Sequence, residues 1–222
     1  MNMKSIIRKV WNETRTVKTV VLELEKNMDF KAGQFVMISI PKNKFGKLIP
    51  ARAYSIANAP NDRYEIKLYI KIYEDGRFSS YFNQLEEGDE LEISGPFGRF
   101  ILEDSKLQSI NFIAAGTGIA PFFSMYEFSN KNNIKCNLIY SERTEEDIIG
   151  KKIIDDGFSN NLSGKYVITS KDSRINKEFI ENNIIKSNLY FICGPPEFVN
   201  DIYDMLVELG VKEEKIKTER YG

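Results

Sequence analysis

The chain has 222 residues, of which 42% are hydrophobic and 28% charged, and its net charge is −1. These values are typical of a globular protein and argue against a nucleic-acid-binding surface or a polybasic membrane anchor. No apolar run approaches the roughly 20 residues of a membrane helix, and the first residues are too charged for a secretion signal, so we expect a cytoplasmic protein without a membrane span. The absence of histidine excludes histidine triads and histidine metal sites.

The first hundred residues predict an all-β region. They carry short segments rich in β-branched and aromatic residues, bounded by Asn, Asp, Gly and Pro, as is typical of strands. Strands are expected at residues 4–11, 16–24, 34–40, 52–57, 64–72 and 90–94, with a short helix over 79–85. Six such strands fit a small antiparallel barrel. We assign Trp11 and most of the phenylalanines to the core.

After Gly98 the pattern alternates between strands and helices. Strands are expected at residues 110–114, 136–140, 166–169, 189–192 and 215–218, and helices at 119–130, 176–184 and 196–209. This alternation indicates a parallel sheet with helices on both faces. The acidic residues 145–147 are interpreted as a solvated helix start. We therefore predict two domains, 1–101 and 102–222.

A glycine turn directly follows the first strand of the second region. Residues 116–121 read G-T-G-I-A-P, and a turn of this kind between a strand and a helix aims backbone N–H groups at an anion, most often a pyrophosphate. Pro121 falls in the first helical turn, where its missing N–H costs nothing. The third glycine of the full dinucleotide fingerprint is absent. We therefore do not assume that an Asp or Glu on the next strand binds the ribose of the nucleotide.

Residues 52–55 read R-A-Y-S, within a predicted strand. The alternation of a strand places Arg52 and Tyr54 on one face and Ser55 on the other. A guanidinium suits a phosphate and a tyrosine ring suits stacking on a flat heterocycle. The alternative is an edge-strand arginine beside a core tyrosine.

Two further segments carry candidate sites. In D-G-R-F-S-S at 75–80, Gly76 allows close backbone approach and the two serines stand where a helix N-terminus holds a phosphate; the alternative is a hairpin turn followed by a serine N-cap. In C-G-P-P at 193–196, Cys193 stands at the carboxyl end of a strand, where open α/β sheets bind ligands; the alternative is a buried cysteine before a proline turn. Neither Cys136 nor Cys193 has a C-x-x-C partner, so we expect no metal site.

Taken in order, R-x-Y-S, G-T-G-I-A-P and C-G-P-P resemble the ferredoxin–NADP reductase family of flavoproteins. Secondary matches are A-G-Q-F at 32–35, G-P-F-G at 95–98 and E-R-Y at 219–221, so the resemblance covers nearly the whole chain. It implies an FAD-binding β-barrel domain followed by a Rossmann-like NAD(P)-binding domain, with FAD between them. Hydride would pass from nicotinamide C4 to flavin N5, and electrons would then pass to an acceptor such as ferredoxin or flavodoxin.

The resemblance also implies roles for individual residues. The implied FAD-binding residues are Arg52, Ala53, Tyr54, Ser55, Tyr69, Ile70, Lys71, Gly76, Phe78, Ser79, Ser80 and Tyr221. The implied NAD(P)-binding residues are Thr117, Gly118, Pro121, Arg143, Ser170, Lys171, Cys193, Gly194 and Pro195. The implied catalytic residues are Ser55 near flavin N5, Cys193 beside nicotinamide C4, and Glu219 near the nicotinamide, with Tyr221 covering the flavin.

The nucleotide and the acceptor are less sharply indicated. Relatives that use NADP place a serine and a basic residue where Ser170 and Lys171 stand, which favours NADPH over NADH, although Glu142 and Asp172 oppose a further phosphate. We expect the acceptor to be a separate electron-carrier protein or redox subunit, for which Lys42, Lys44 and Lys47 are candidate docking residues. The alternatives are a free-flavin reductase and a non-catalytic flavin- or nucleotide-binding subunit of a larger redox complex.

Overall fold

A computed structural model describes residues 2–41, 45–47, 49–60, 64–73, 76, 78–158 and 160–221 of the chain. Lys42, Lys44, Asp75 and Arg77, which the sequence analysis singled out, lie outside these residues. The chain divides into two compact units, Met1–Glu103 with Phe123–Met125, and Asp104–Phe122 with Tyr126–Gly222. No helix in the described part of the chain is long and apolar enough to cross a membrane.

The first unit is built on a six-stranded antiparallel sheet. Its strands are β1 (Asn2–Thr14), β2 (Val17–Leu24), β3 (Phe35–Ile40), β4 (Ile49–Ser55), β5 (Glu65–Lys71) and β6 (Glu90–Phe97), in the order β4-β3-β6-β1-β2-β5. One short helix, α1 (Ser79–Phe82), lies between β5 and β6. Alternate side chains point inward, as in β3, where Val36, Ile38 and Ile40 are fully buried.

The two outer strands of this sheet approach each other, which confirms the predicted barrel. Just after β4, the Ala57 N–H donates to the Lys67 carbonyl at 2.8 Å, and the Lys67 N–H donates to Asn58 Oδ1 at 2.6 Å. Trp11 is a correction, because it is 42% exposed on the outer face of β1 and its Nε1 donates to Glu13 at 3.0 Å.

The A-G-Q-F and G-P-F-G motifs have structural roles in the first unit. The carbonyl of Gln34 accepts a hydrogen bond from Ile56 at 2.9 Å, and its side chain donates to the carbonyl of Gly98 at 3.4 Å. The rings of Phe35 and Phe97 lie 5.8 Å apart. These contacts connect the start of β3 to the end of β6 and to the end of β4, the strand that contains the R-x-Y-S segment.

The second unit is a five-stranded parallel sheet. Its elements are β7 (Ser109–Ala115), α2 (Ala120–Lys131), β8 (Lys135–Glu142), α3 (Lys151–Phe158), β9 (Leu162–Ile168), α4 (Lys177–Asn183), β10 (Leu189–Gly194), α5 (Pro196–Glu208) and β11 (Ile216–Arg220), with strand order β11-β10-β7-β8-β9. The order reverses between β7 and β10, which creates a crevice at their carboxyl ends. Helices cover both faces, since Ile113 packs with α4 and α5 while Phe112 stacks on Phe122 of α2 at 4.8 Å.

Two predictions for this unit were wrong in detail. The acids 145–147 form a separate 3₁₀ turn, and α3, which was not predicted, begins at Lys151; its eight residues are too few to show a clear helical period. Strand β9 begins at Leu162, four residues before the predicted start. Gly164 in that strand has φ +141°, and a Cβ there would meet the Leu138 carbonyl, so a glycine that weakens the sequence pattern is needed for the backbone to approach.

A buried polar network joins three strands of this sheet. Asn111 on β7 is fully buried, and its amide nitrogen donates to the Ile185 carbonyl and to Ser187 Oγ, both at 2.7 Å. Its amide oxygen accepts from Asn137 on β8 at 2.8 Å, and Ser163 Oγ on β9 lies 3.0 Å from Asn137 Oδ1. The network fixes the segment that leads into β10.

We expect Asn111→Ala to lower the free energy of unfolding by about 3 kcal/mol, because several buried groups lose their partners at once. Urea unfolding followed by circular dichroism measures this change. Asn160→Ala is the matched control, since Asn160 is exposed and donates to Asp156 at 2.7 Å; it should change the free energy by less than about 0.5 kcal/mol. Equal losses in both variants would contradict the role given to the network.

Candidate functional site

The glycine turn after β7 lies directly against the end of β10. Residues Gly116–Ile119 form a 3₁₀ turn that leads into α2, with Pro121 in the first helical turn as predicted. A Cβ on Gly118 would stand 2.3 Å from the carbonyl oxygen of Cys193 and 2.7 Å from the nitrogen of Gly194. Only glycine permits this approach, so the G-T-G and C-G-P-P motifs meet at the crevice where the strand order reverses.

Cys193 is a buried, neutral thiol. It is fully buried, and burial is the largest cause that raises its pKa well above the usual value. The nearby Glu219 carboxylate raises the pKa further, while hydrogen bonds from Tyr221 and the Gly194 backbone oppose the shift. A thiol held in this state is a poor nucleophile and a good packing surface.

The last residues of the chain are held in the sheet. Cys193 pairs with Glu219 and Gly194 with Arg220 in the register of β10 and β11. Beyond β11, the Tyr221 N–H donates to the Gly194 carbonyl at 2.9 Å, and Arg220 donates to Asn200 at 2.9 Å. One Glu219 carboxylate oxygen is buried. The structure therefore brings Cys193, Gly194, Glu219 and Tyr221 together.

The residues predicted for the far end of the nucleotide follow β8 and β9. The Ser170 N–H donates to the Arg143 carbonyl at 3.1 Å, so the two segments are adjacent. Lys171 is exposed, and its Nζ forms an ion pair with Glu145 at 2.8 Å. That partner and the neighbouring acids Glu146 and Asp172 raise the pKa of Lys171. Lys171 is therefore close to three carboxylates.

Sequence reasoning missed Tyr140 on β8. It is fully buried, and its hydroxyl lies 2.8 Å from Glu142 Oε1 and 3.2 Å from the Gly116 carbonyl oxygen. The same hydroxyl accepts a hydrogen bond from the Ile149 N–H at 3.4 Å, just before α3. Within an apolar strand, nothing in the sequence distinguishes such a tyrosine from an ordinary core residue.

In the first unit, Arg52 and Tyr54 lie on β4 as predicted. Arg52 is exposed and donates to the Ala51 carbonyl at 3.1 Å; among the described residues it has no carboxylate partner. Tyr54 is half-buried, and its ring lies 5.7 Å from that of Phe78. Burial raises the pKa of Tyr54, and the Arg52 charge opposes that shift.

Ser79, the first residue of α1, contacts Tyr73 and lies close to Gly76. The Ser79 hydroxyl accepts from the Tyr73 N–H at 3.0 Å and lies 3.2 Å from the Tyr73 carbonyl, and a Cβ on Gly76 would stand 2.2 Å from it. Phe78, not a serine, is the N-cap, and its side chain makes no cap hydrogen bond. The Ser79 side chain therefore supports the turn, and Ser80 is half-buried beside it.

The remaining predicted FAD residues differ in exposure. Ile70 is fully buried in the barrel core, so it presents only its backbone. Tyr69 and Ser55 are also buried, at 4% and 5% exposed, whereas Ala53 is exposed and Lys71 half-buried. Their roles stay predictions.

The donor chemistry fits the two expected groups. In the first unit, an arginine without a carboxylate partner among the described residues and a tyrosine ring share one face of β4, as a phosphate linked to a flat heterocycle requires. In the second unit, the glycine turn, the start of α2 and a neutral thiol meet at the carboxyl edge of a parallel sheet, as a dinucleotide requires.

We expect Cys193 to react slowly with iodoacetamide. In a Cys136→Ala background, alkylation at pH 8 should be at least about a hundredfold slower in the folded than in the urea-unfolded chain, because the folded thiol holds its proton and is buried. Adding Glu219→Gln should accelerate alkylation, since a negative charge beside the thiol is removed. Because the folded pKa lies above the unfolded value, the free energy of unfolding should also fall as the pH rises above about 8.5. Fast alkylation of the folded chain would contradict the assignment.

Comparison with known proteins identifies both parts of the chain. Residues 5–101 match the model of the oxidoreductase FAD-binding domain, and residues 112–204 match that of the oxidoreductase NAD-binding domain. The chain is 27% identical to NADH-cytochrome b5 reductase 2 of Meyerozyma guilliermondii, with 95% of this chain and 82% of that protein covered. It is 28% identical to the flavohemoprotein of Bacillus subtilis, with 98% of this chain but only 58% of that protein covered.

A solved structure has the same fold. The ferredoxin NADP⁺ reductase from Neisseria gonorrhoeae, determined with bound FAD and NADP, superposes with a TM-score of 0.86 at 22% identity and covers 99% of this chain and 98% of that one. The two adjacent domain matches and the shared fold confirm the resemblance found in the sequence. The chain belongs to the ferredoxin–NADP reductase family of FAD- and NAD-binding oxidoreductases.

Proposed function

We propose that the chain is an FAD-containing reductase that takes electrons from NADH and passes them to a separate redox protein. The observation that carries this proposal is the meeting of Cys193, Glu219 and Tyr221 with Gly118 at the crevice of the parallel sheet. The site has a buried thiol and a buried carboxylate oxygen but no histidine. Such a site suits a reaction in which the cofactors supply the chemistry and the protein supplies orientation.

Each residue at this edge has a physical task. When bound, FAD accepts a hydride from the reduced nicotinamide and releases electrons one or two at a time. Cys193, neutral and buried, would pack against the nicotinamide and keep water away from it. Glu219 would accept a hydrogen bond from the nicotinamide. Tyr221, whose N–H donates to the Gly194 carbonyl, would limit the orientations in which the nicotinamide ring can bind. In the first unit, the exposed guanidinium of Arg52 would hold a cofactor phosphate.

Charge near the end of β9 favours NADH over the NADPH that the sequence analysis preferred. The 2′-phosphate of NADPH needs an available cation, and Lys171 is already paired with Glu145. Glu146 and Asp172 add further negative charge beside it. The name of the relative from Meyerozyma guilliermondii, an NADH-cytochrome b5 reductase, supports the same choice.

The acceptor is proposed to be a haem protein or a haem domain, in preference to ferredoxin. The names of the two relatives, a cytochrome b5 reductase and a flavohemoprotein, support this class. The chain spans little more than half of the flavohemoprotein. A one-electron haem acceptor also suits a flavin, which releases electrons singly.

Anaerobic titration of the purified protein with NADH and with NADPH tests the function. We expect a yellow protein with bound flavin, whose visible spectrum bleaches at a much lower concentration of NADH than of NADPH. Cytochrome b5 added afterwards should restore the oxidised flavin spectrum and become reduced itself.

Each other outcome contradicts a stated part of the proposal. Preferential bleaching by NADPH would restore the sequence-based assignment of Ser170 and Lys171. Loss of flavin on purification, with activity only on added flavin, would indicate a free-flavin reductase. A bound flavin that neither nucleotide reduces would indicate a non-catalytic subunit.

We expect Gly118→Ala to weaken NAD⁺ binding by at least about tenfold, equivalent to about 1.4 kcal/mol. The added Cβ would overlap the Cys193 carbonyl oxygen and force the turn away from β10. Flavin content should stay unchanged, because the predicted flavin residues other than Tyr221 lie in the first unit. The dissociation constant for NAD⁺, measured by calorimetry, checks this.

Gly116→Ala is the matched control in the same turn. Gly116 has φ +58°, and no atom lies within 4 Å of where its Cβ would stand, so an alanine there costs only about 1–2 kcal/mol of backbone strain and meets no atom of the protein. We expect Gly118→Ala to weaken binding more than this control does. An equal effect of the two substitutions would show that the close approach to β10 is not what matters.

A further inference from the structure

The side chain of Glu142 is held next to the glycine turn. Glu142 is the last residue of β8, the strand that pairs in parallel with β7 up to Ala115 and Ser141. Tyr140, two residues earlier on the same face, connects the Glu142 carboxylate at 2.8 Å and the Gly116 carbonyl oxygen at 3.2 Å through one hydroxyl. The carboxylate is therefore in register with the start of the turn.

The backbone of Glu142 is fixed from the other side. Thr169, which follows β9, donates its N–H to the Glu142 carbonyl at 2.9 Å, and its hydroxyl lies 3.3 Å from the same oxygen. Glu142 is only partly buried and stands at the carboxyl end of β8. Thr169 thus fixes its backbone carbonyl, and the Tyr140 hydroxyl fixes its carboxylate.

A carboxylate at this position has a definite chemistry. In α/β sheets that bind dinucleotides, the pyrophosphate occupies the glycine turn and the adenosine ribose extends toward the strand beside it, where an acid accepts a hydrogen bond from the 2′-hydroxyl. A negative charge there also repels a 2′-phosphate. Of the two cations at this edge, Lys171 forms an ion pair with Glu145 at 2.8 Å, and Arg143, which directly follows Glu142, is exposed.

We propose that Glu142 binds the 2′-hydroxyl of the adenosine ribose and excludes the 2′-phosphate, and that Tyr140 is a positioning residue that holds this carboxylate in register with the glycine turn. The proposal rests on the proposed function, in that a pyridine nucleotide binds at this edge. The selectivity between NADH and NADPH is thereby assigned to the end of β8, and not to Ser170 and Lys171 after β9. Although the glycine turn lacks the third glycine of the full fingerprint, Glu142 still supplies an acid on the neighbouring strand.

Calorimetry with NAD⁺ and NADP⁺ on the purified flavoprotein tests the role of Glu142, because these ligands differ only in the 2′-phosphate and the readout is binding. The wild-type protein should bind NAD⁺ more tightly. In Glu142→Gln the ratio of the NADP⁺ to the NAD⁺ dissociation constant should fall by about tenfold, as expected when one charge–charge repulsion and one charged hydrogen bond are removed.

An unchanged ratio in a variant that still binds NAD⁺ would overturn the role of Glu142 and leave the proposed function standing. Failure of the wild-type protein to bind either nucleotide would overturn both. The two failures are therefore distinguishable in the same experiment.

Tyr140→Phe tests the positioning role, with Tyr166→Phe as its matched control. Tyr166 lies on the adjacent strand β9, and its hydroxyl also donates to a carboxylate, that of Asp155 at 2.8 Å, but the structure gives it no contact with the glycine turn. Tyr140→Phe should lower the ratio at least about threefold and raise the KM for NADH with little change in kcat. Tyr166→Phe should leave the ratio and the KM unchanged.

A ratio that stays constant in Tyr140→Phe, or shifts equally in both tyrosine variants, would overturn the positioning role. Melting temperatures of the two variants separate this effect from stability. Tyr140→Phe should lose more stability, because the Tyr140 hydroxyl is fully buried and also accepts from Ile149; a purely structural role predicts that loss with no change in nucleotide selectivity.

Discussion

Gly118 has no side chain, and the volume a Cβ would need is already filled by the backbone of Cys193 and Gly194. This contact brings the turn after β7 against the end of β10, where the strand order of the parallel sheet reverses. The burial of the Cys193 thiol and the position of the chain terminus beside it belong to the same arrangement. A larger residue at position 118 would separate these features, which is why the site depends on one close backbone approach.

Charge is distributed unevenly along the carboxyl edge of the second unit. Near β10, burial and the Glu219 carboxylate keep Cys193 protonated, so that end of the edge offers a neutral packing surface. Near β8 and β9, the edge carries the acids Glu142 and Glu145 and the cations Arg143 and Lys171, and Glu145 pairs with Lys171. This distribution supports the proposal of a ligand with an uncharged ring at one end and hydroxyl groups at the other.

The fold and the position of the site could be predicted from the sequence because their signals are local. Glycine turns, apolar runs and the Cys193 motif each indicate where a strand ends. The structure differs from the sequence-based prediction where contacts between residues distant in sequence determine the conformation. Gly164 is a glycine in a strand because the Leu138 backbone leaves no room there for a Cβ. Lys171 forms an ion pair with Glu145, 26 residues away in sequence, which no local pattern predicts. Tyr140 is indistinguishable from a core residue until its hydroxyl is placed.

The most direct test of the account is the rate at which bound flavin is reduced when the protein is mixed anaerobically with NADH in a stopped-flow instrument, compared with NADH deuterated at the transferred C4 position. A reductase should show bleaching that saturates with NADH and is slower with the deuterated nucleotide, because the transferred hydride leaves C4. Flavin that stays oxidised, or is reduced only by a chemical reductant, would contradict the assignment of this chain as a reductase.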